Sequence, residues 1–343
     1  MTLSVNKTLD FYVEKLSAND IKERRLPIGT EVQVHAISDL HCDRSSNVKW
    51  WKQIVQNHID KSAKIFHETN KKVHHILIIP GDISHQLKVI EDTLIEAKRG
   101  YDDVFFIPGN HEMWCTSTSK YSSSLEKCVD IVDLCNTLDV SCFPVYYPDY
   151  DILVAPMWSW YHASWDTTEN TSKPTPGYFE DNWVDFHLCK WPSSIDSKSE
   201  ITSLTSKSSK LALYFSSLND PWLERYSNGL VKRIETDLKI ISFSHFIPLQ
   251  DLIPKYLFHD ELRKVSGSNP LKDQLSMLKP NTHIFGHTHL PIDTIISEVR
   301  YLQWSLGTGK ERTTSCSEIN SNGPLCVFNS LSETKESSDY CLM

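Results

Sequence analysis

The sequence predicts an α/β fold built on a largely parallel sheet with helices packed outside it. From residue 31 to residue 156, strand-like apolar runs alternate with apolar stripes at helical spacing. Such alternation is typical of parallel strands that are joined by crossing helices. The run 73–79 ends in continuous Ile and Leu, as expected for a strand covered on both faces.

Four strands and three helices are predicted in this first half. The strands are Glu31–Ser38, Val73–Ile79, Asp103–Ile107 and Asp151–Pro156. The helices are marked by apolar residues three or four positions apart, namely Trp51, Ile54, Val55, Ile59 and Phe66, then Leu87, Ile90, Leu94 and Ala97, then Leu125, Cys128, Val129, Val132 and Cys135. We expect Ser45, Ser46 or Asn47 to cap the first helix.

The second half begins with a break in this pattern. Residues 158–237 are rich in aromatics, contain a polar stretch at 192–210, and are predicted to be an insertion between core strands. The aromatics are either a lid over a substrate or the packing of a small subdomain. Further strands are predicted at Lys239–Phe246, Thr282–His289, Val299–Leu306 and Leu325–Phe328.

These elements predict one main domain at 31–328. An extension at 1–30 carries enough apolar residues for an amphipathic helix, and the tail at 329–343 is polar. The length of 343 residues and the 40% hydrophobic content suit a single large core.

Composition excludes several classes of protein. No apolar run approaches the roughly 18 residues that span a bilayer, and no hydrophobic leader opens the chain, so we expect a soluble cytoplasmic protein without a membrane partner. The nine cysteines are odd in number and form no CxxC pair, which favours reduced thiols. The net charge of -9 and the pI near 5.9 argue against duplex nucleic acid as a partner.

Polar residues with metal-binding side chains follow five of the predicted strands. They are Asp39-Leu40-His41, Gly81-Asp82, Gly109-Asn110-His111-Glu112, Ser244-His245 and Gly286-His287-Thr288-His289. Any one of them would be an ordinary coincidence, but five in series, three of them after a glycine, predict one metal centre. Glycine allows the sharp backbone turn that brings the next side chain to the site.

The residue types indicate which ions would bind. Imidazole, carboxylate and amide ligands suit Mn, Fe, Zn, Co or Ni in the divalent state, and the lack of thiolate ligands disfavours a soft site. Manganese is therefore a reasonable ion for a first assay.

The order of these blocks resembles the calcineurin-like metallophosphoesterase superfamily, whose pattern is D-x-H, GD, GNH[DE], an isolated His and GHxH. The five blocks extend over residues 39–289. The resemblance implies a four-layer α/β/β/α sandwich with two mixed sheets, here with a long aromatic-rich insertion. The runs 189–192, 211–215 and 243–248 also resemble a eukaryotic branch, known from plants and protists, whose substrate is poorly defined.

The resemblance also implies a role for each residue. Asp39, His41 and His289 would hold one ion, Asn110, His245 and His287 the other, and Asp82 would bridge both. His111 would stabilise the transition state or protonate the leaving oxygen, which is typically worth about 10² to 10⁴ in rate. Glu112 would either orient a neighbouring group or serve as a cap or surface residue.

The expected activity is metal-dependent hydrolysis of a phosphoric ester. Two ions about 3.5 to 4 Å apart acidify a bridging water, which attacks phosphorus in line. The favoured substrate is a small phosphomonoester or nucleotide; the alternatives are a phosphodiesterase or nuclease, and a non-catalytic scaffold with the same fold. Residues 83–87 contain no arginine, in contrast to the protein Ser/Thr phosphatases. Protein partners are not indicated.

Overall fold

The computed structural model of the protein describes residues 10–18, 20–166, 182–192, 210–230, 238–253 and 262–330. The twelve strands within these described residues form two mixed sheets. The strands are β1 (Lys22–Glu23), β2 (Glu31–Ala36), β3 (Val73–Ile79), β4 (Asp103–Phe106), β5 (Val140–Ser141), β6 (Val145–Tyr147), β7 (Ile152–Pro156), β8 (Lys239–Phe243), β9 (Thr282–Phe285), β10 (Ile292–Ile296), β11 (Val299–Gln303) and β12 (Leu325–Asn329).

The smaller sheet has the order β12-β2-β3-β4-β5 and the larger one the order β1-β6-β7-β8-β9-β11-β10. In the smaller sheet only the β12–β2 pair is antiparallel. In the larger sheet β6–β7 and β10–β11 are antiparallel, and the other pairs are parallel. The two sheets are therefore mixed, as the resemblance implied.

Eight helices with both ends in the described residues accompany the sheets. They are α1 (Ser45–Thr69), α2 (Leu87–Gly100), α3 (Ser124–Thr137), α4 (Val184–Leu188), α5 (Lys210–Ser217), α6 (Asp220–Arg225), α7 (Asn269–Leu278) and α8 (Ser317–Asn322). Residues 10–16 are also helical and bury Leu16, which agrees with the amphipathic helix expected in the N-terminal extension.

The main core lies between the two sheets. Apolar residues of both sheets form one cluster there, and the rings of Phe105 and Phe243 meet across it at 6.5 Å between centroids. On the outer face of the larger sheet, Leu153 and Ile240 pack with Trp222 and Leu275. On the outer face of the smaller sheet α1 brings His58 against His35 of β2. The layers are thus α/β/β/α.

All eight predicted strands are present, most of them ending within two or three residues of the expected position. The four missed strands (β1, β5, β6 and β10) are short or have no clear alternation. The predicted cap of α1 is wrong, because Arg44 occupies that position without a side-chain cap bond. Asn47 instead donates from Nδ2 to the carbonyl oxygens of Leu40 and Gly307 at 2.8 and 3.0 Å.

Some sequence predictions fall on residues that the structure does not describe. These include Tyr178 and Phe179 of the predicted insertion, most of its polar stretch, and residues 331–343 of the tail. The eight described cysteines are free thiols. No helix in the described part of the chain combines the length and the apolar character that crossing a membrane requires.

Candidate metal centre

The predicted ligands meet at the carboxyl ends of five parallel strands. Asp39 and His41 follow β2, Asp82 follows β3, and Asn110 follows β4 in the smaller sheet. His245 follows β8 in the larger sheet, and His287 and His289 follow β9. The two sheets join at this point, because Ser38 N donates to the Trp304 carbonyl at 3.0 Å and Leu306 N donates back to the Ser38 carbonyl at 3.0 Å.

A first group of ligand atoms comes from Asp39, His41, Asp82 and His289. One atom from each of these residues lies within 4.8 Å of the others. The Nε2 atoms of His41 and His289 are 2.9 Å apart, and His289 Nε2 lies 3.5 Å from Asp39 Oδ1. The sequence assigned three of these residues to one ion and Asp82 to both, so the structure brings together the residues predicted for that ion.

A second group comprises Asp82, Asn110, His245 and His287. His245 Nε2 lies 3.0 Å from Asn110 Oδ1 and 3.5 Å from Asp82 Oδ1. His287 Nδ1 lies 3.2 Å from the same Asn110 oxygen. Asp82 is thus close to both groups, which is the position that a bridging ligand requires.

The hydrogen bonds at the far ends of these side chains show which atoms carry lone pairs. His245 Nδ1 donates to the Pro80 carbonyl at 2.9 Å, and His287 Nε2 donates to the Val265 carbonyl at 2.9 Å. In a neutral imidazole the other nitrogen is then an acceptor. Partners of this kind orient metal-binding histidines.

Three acceptor atoms therefore face one another in a buried place. They are His245 Nε2, His287 Nδ1 and Asn110 Oδ1, and the two nitrogens lie 3.0 and 3.2 Å from the oxygen. In neutral rings with these tautomers, none of the three carries a hydrogen that the others could accept. A cation satisfies all three lone pairs at once, so the donor set fits a metal ion.

The Asp39 carboxylate is held by neighbouring hydroxyl and amide groups. Its Oδ2 accepts from Ser38 Oγ at 2.6 Å and from Ser305 Oγ at 2.5 Å, and its Oδ1 accepts from the backbone N of His287 at 3.0 Å. The two serines were not predicted as site residues. Since an isolated serine has no distinctive sequence signature, only their position beside Asp39 reveals the role.

Glu112 is fully buried and is not a surface residue. Its Oε2 accepts from the backbone N of Asp82 at 2.9 Å and of Gly109 at 2.7 Å, and its Oε1 accepts from those of Ile83 and Ser84 at 2.7 and 3.0 Å. One carboxylate thus joins the loop that carries Asp82 to the loop that carries Asn110. Of the two roles left open by the sequence, the orienting role is correct.

His111 lies beside the first group of ligands with about a quarter of its side chain exposed. Its backbone N donates to Asp82 Oδ1 at 3.1 Å, and its Nε2 is 3.7 Å from Asp82 Oδ2. The ring stacks on Trp114 with 3.7 Å between centroids and meets His41 at 4.8 Å. His111 is therefore the partly exposed side chain beside the first group of ligands.

All three site glycines are required for space, since a Cβ on Gly81 would lie 2.7 Å from the backbone N of Gly109. A Cβ on Gly109 would lie 2.7 Å from His245 Cε1, and a Cβ on Gly286 would lie 2.8 Å from Asp39 Oδ2. Only Gly81, at φ +77°, has the left-handed conformation that the sharp-turn argument requires. The sequence located these glycines correctly, but close approach is the reason at Gly109 and Gly286.

The electrostatics of the site favour added positive charge. Burial raises the pKa of Asp82 well above its usual value, and the charges of Glu112 and Asp39 raise it further. Burial lowers the pKa of His289, but Asp39 and Glu311 outweigh burial and raise it to about 10. Glu311 Oε2 accepts from His289 Nδ1 at 3.1 Å, a contact that the sequence did not predict.

Two other histidines are held neutral at the first group. Burial lowers the pKa of His41 to about 3, and the charge of His289 contributes to this. Burial and the nearby His41 lower the pKa of His111 in the same direction. For the predicted ligand His41, the neutral imidazole is the form that binds a metal ion.

Two aromatic residues of the predicted insertion, Trp160 and Tyr161, pack in or against the main core. Trp160 belongs to the main core, where it contacts Trp191, Phe215 and Phe246. Tyr161 also packs on Phe246, at 5.4 Å. Core packing therefore accounts for Trp160, and a substrate lid at this residue is not supported.

Comparison with known proteins identifies the family of this chain. The calcineurin-like phosphoesterase family model matches residues 32–291. The chain is 22% identical over 295 residues to [acyl-carrier-protein] phosphodiesterase PptH of Mycobacterium tuberculosis, and the match covers 83% of this chain and 80% of that protein.

Solved structures show a similar fold. The crystal structure of phosphopantetheinyl hydrolase PptH from Mycobacterium tuberculosis superposes with a TM-score of 0.56 at 20% identity, covering 83% of this chain and 93% of that one. A putative 5'-nucleotidase from Staphylococcus aureus reaches a TM-score of 0.37 at 12% identity, covering 80% of this chain and 48% of that one, which is too low for any inference.

Proposed function

The chain belongs to the calcineurin-like phosphoesterase family and is a hydrolase of phosphoric ester bonds, and from this premise we propose that it cleaves a phosphodiester with two divalent metal ions. The observation that carries the proposal is the convergence of buried acceptor atoms at Asn110, His245 and His287, next to the carboxylate of Asp82. A bound cation would satisfy the lone pairs of these three acceptor atoms, which do not donate hydrogen bonds to one another.

Seven side chains would hold the ions. One set is Asp39, His41, Asp82 and His289, and the other is Asp82, Asn110, His245 and His287. Bound ions of this kind activate water as a nucleophile and neutralise charge on the phosphate oxygens. Mn, Fe, Zn, Co and Ni all suit these ligands, and manganese is the ion we propose to test first.

His111 would act on the substrate directly. Its ring is partly exposed beside the ligands, and stacking on Trp114 fixes the plane of the ring. From this position the N–H of the neutral ring can donate a hydrogen bond to a phosphate oxygen, whereas the other role, protonation of the leaving oxygen, would require the protonated ring. The hydrogen bond from the backbone N of His111 to Asp82 Oδ1 holds His111 next to the predicted bridging carboxylate.

Two observations favour a diester over a monoester. A phosphomonoester carries more negative charge than a diester at neutral pH, so its site benefits from extra cationic side chains. Among the described residues, no Arg or Lys side chain forms a hydrogen bond or ion pair with the seven ligands or His111. The relative PptH is named as a phosphodiesterase, which agrees with the alternative raised from the sequence.

Four other interpretations of the sequence remain predictions. They are a small phosphomonoester or nucleotide substrate, a nuclease activity, a cytoplasmic location, and membership in the plant and protist branch. The scaffold reading is disfavoured because the ligand residues and His111 are all present and lie together.

The proposal is tested by hydrolysis of an aryl phosphodiester and the matching monoester with added Mn²⁺. We expect faster turnover of the diester, loss of turnover with a chelator, and a kcat about 10² to 10⁴ lower for His111→Ala. Faster turnover of the monoester would favour the small phosphomonoester substrate predicted first from the sequence. Two bound ions with turnover of neither ester would favour the scaffold.

The activity printed for the relative suggests a second substrate for the same assay. In a carrier protein that bears a phosphopantetheinyl group, the phosphate is a diester that joins the protein to a small molecule. Release of the small molecule by this chain would extend the proposal to that class of substrate. Hydrolysis of the aryl diester alone would limit the proposal to diesters in general.

A further inference from the structure

Asp185 is a buried carboxylate next to the metal centre that the sequence did not identify. It lies on α4 with 3% exposure, and none of the described residues forms an ion pair with it. Burying an unpaired carboxylate is costly unless hydrogen bonds compensate. Here Asn110 Nδ2 and Trp114 Nε1 donate to Oδ1 at 3.0 and 2.6 Å, and Trp183 Nε1 donates to Oδ2 at 2.9 Å.

The contact with Asn110 decides which end of its amide faces the metal site. An indole N–H can only donate, so Asp185 Oδ1 is already an acceptor for Trp114. If the Asn110 amide were flipped, its oxygen would face this acceptor and its NH₂ group would face His245 and His287. The amide must therefore direct Nδ2 to Asp185 and leave Oδ1 for a cation.

Asp185 Oδ1 also affects the position of the His111 ring, through Trp114. Trp114 is fixed by its short bond to Asp185 Oδ1, and its indole stacks on the His111 ring with 3.7 Å between centroids and 30° between planes. A shift of Trp114 would release this ring. One carboxylate oxygen thus contacts a predicted ligand directly and the predicted catalytic histidine through one intervening side chain.

Asp185 is itself held firmly in place. Cys115 N donates to the Leu188 carbonyl at 2.7 Å, just after the 3₁₀ turn that carries His111. Ser124 N donates to the Lys190 carbonyl at 2.7 Å. These bonds tie α4 to the segment that joins Asn110 to α3, so the positions of Asp185 and Asn110 are fixed relative to each other.

We propose that Asp185 is a positioning residue of the metal centre, which selects the amide oxygen of Asn110 as the ligand atom and holds Trp114 against His111. This inference rests on the proposed function, because it concerns the same ions and the same reaction. It adds a role for the segment around 182–192, which would otherwise serve only as packing.

The first test measures metal binding rather than activity. Chelator-treated wild type and Asp185→Asn are titrated with Mn²⁺ by calorimetry, and the magnetic coupling of the two ions is followed by electron paramagnetic resonance. We expect Asp185→Asn to bind its second ion about 10- to 100-fold more weakly, as is typical when a partner of a metal ligand is lost. The coupled two-ion signal should weaken correspondingly.

The exchanged pair Asp185→Asn with Asn110→Asp provides a rescue. The new carboxylate at position 110 would offer an oxygen at both ends, and the new amide at position 185 would donate to one of them. The donor–acceptor match between these two positions is thus restored, although the Trp114 N–H loses its acceptor. We expect recovery of the second ion in this variant. Because a carboxylate at position 110 is itself a stronger ligand, the pair is compared with Asn110→Asp alone. A residue that only maintained the fold would give the pair no gain over that single change, and absence of such a gain would overturn the proposal.

Asp103→Asn is the control for general destabilisation. Asp103 is also buried and also accepts a hydrogen bond from the Tyr147 hydroxyl at 2.7 Å, but it pairs with Arg24 and His74 and lies at the opposite end of β4. Its replacement should leave the affinity for both ions unchanged. An equal loss of the second ion in Asp103→Asn would reduce the effect to general destabilisation and overturn the proposal.

A second variant addresses the rate and keeps the inference testable if Asp185→Asn does not fold. Trp114→Phe removes the N–H donor while keeping an aromatic ring, so we expect two bound ions, an unchanged KM and a lower kcat. A wild-type kcat would overturn the role assigned to Trp114. If wild type binds two ions but hydrolyses no ester, the proposed function fails while the metal titrations still decide the role of Asp185.

Discussion

Five residues of the metal centre adopt a backbone conformation that side chains other than glycine rarely adopt. Asp39, His41, Asp82, His287 and His289 all have positive φ, between 41° and 77°. Such conformations cost of order 1–3 kcal/mol each and cluster at functional sites. The hydrogen bonds at Asp39 and around Asp82 hold these residues in place, which explains why the ligands can point inward from the strand ends.

Asp82 is the residue on which both ions would depend. We expect Asp82→Asn to lose most bound metal together with activity, because an amide supplies less charge than a carboxylate between two cations. Metal content per chain after gel filtration, measured by mass spectrometry, checks this. The exposed Asp43→Asn should retain two ions, and two ions retained in Asp82→Asn would show that the bridging assignment is wrong.

At the scale of elements, Glu112 joins the loop after β3 to the loop after β4. Four backbone N–H groups from these two loops donate to one buried carboxylate. Hydrogen bonds to charged groups contribute about 1.5–3 kcal/mol each, so this residue accounts for much of the rigidity of the site.

Replacing Glu112 by Gln should therefore destabilise the protein. The new NH₂ group would face two backbone donors, so two of the four bonds are lost, and we expect the free energy of unfolding to fall by about 3–6 kcal/mol. Urea unfolding measures the change. Glu68→Gln, on the exposed face of α1, should change the free energy of unfolding by less than about 0.5 kcal/mol. An equally small effect of Glu112→Gln would contradict the role of Glu112 in joining the two loops.

A second feature at this scale is a cluster of histidines between the smaller sheet and α1. His35 of β2, His58 of α1 and His75 of β3 have ring centroids 4.5–5.7 Å apart. One buried ring nitrogen of each has no hydrogen-bond partner among the described residues. Burial, together with the neighbouring histidines, lowers the pKa of His35 to about 3 and of His58 to about 4.

This cluster predicts that the protein loses stability in mild acid. The usual histidine pKa is 6.5, so below that pH the unfolded chain binds protons that the folded cluster excludes until the folded values near 3 and 4. Each histidine should lower the free energy of unfolding by up to about 1.4 kcal/mol per pH unit within this window. Above the window the contribution disappears.

Urea unfolding of the wild type and of His35→Phe, at pH values between about 5 and about 7, tests this prediction. The variant keeps a ring in the cluster but removes one titrating group, so its stability should fall less steeply with acid. The exposed His67→Gln serves as the control and should follow the wild type. Parallel slopes for wild type and His35→Phe would contradict the prediction.

At the scale of the whole molecule, the metal centre joins the two sheets. Asp39, His41, Asp82 and Asn110 come from the smaller sheet, and the three other histidine ligands, His245, His287 and His289, come from the larger one. The main apolar core lies between the same two sheets. Bound ions would therefore stabilise the packing of one sheet on the other as well as the site.

Metal removal should accordingly lower the melting temperature. A ligand that binds only the folded state stabilises it by about 2.7 kcal/mol at one hundred times its Kd. We expect the Tm of chelator-treated protein to rise with added Mn²⁺ in a concentration-dependent way, as measured by calorimetry. His287→Ala should show a smaller rise, and a Tm that does not respond to Mn²⁺ in the wild type would contradict a centre that spans both sheets.

The class of the fold, and the set of side chains that the structure brings together at the candidate metal centre, could be predicted from the sequence. Apolar periodicity is a local property, so it located eight strands and the three helices α1, α2 and α3. The blocks from Asp39 to His289 could be read because ligands and glycines at strand ends are close in sequence to the strands that position them. The missed strands β5 and β6 contain two and three residues, too few for a period to appear.

The residues that support the centre became visible only in three dimensions. Ser305, Glu311 and Asp185 contact the centre from segments far away in the chain, and a single Ser, Glu or Asp has no local pattern that predicts such a contact. The same holds for Glu112, whose four donors come from two separate loops. Hydrogen-bond partners depend on which segments meet in three dimensions, and local sequence carries little information about that.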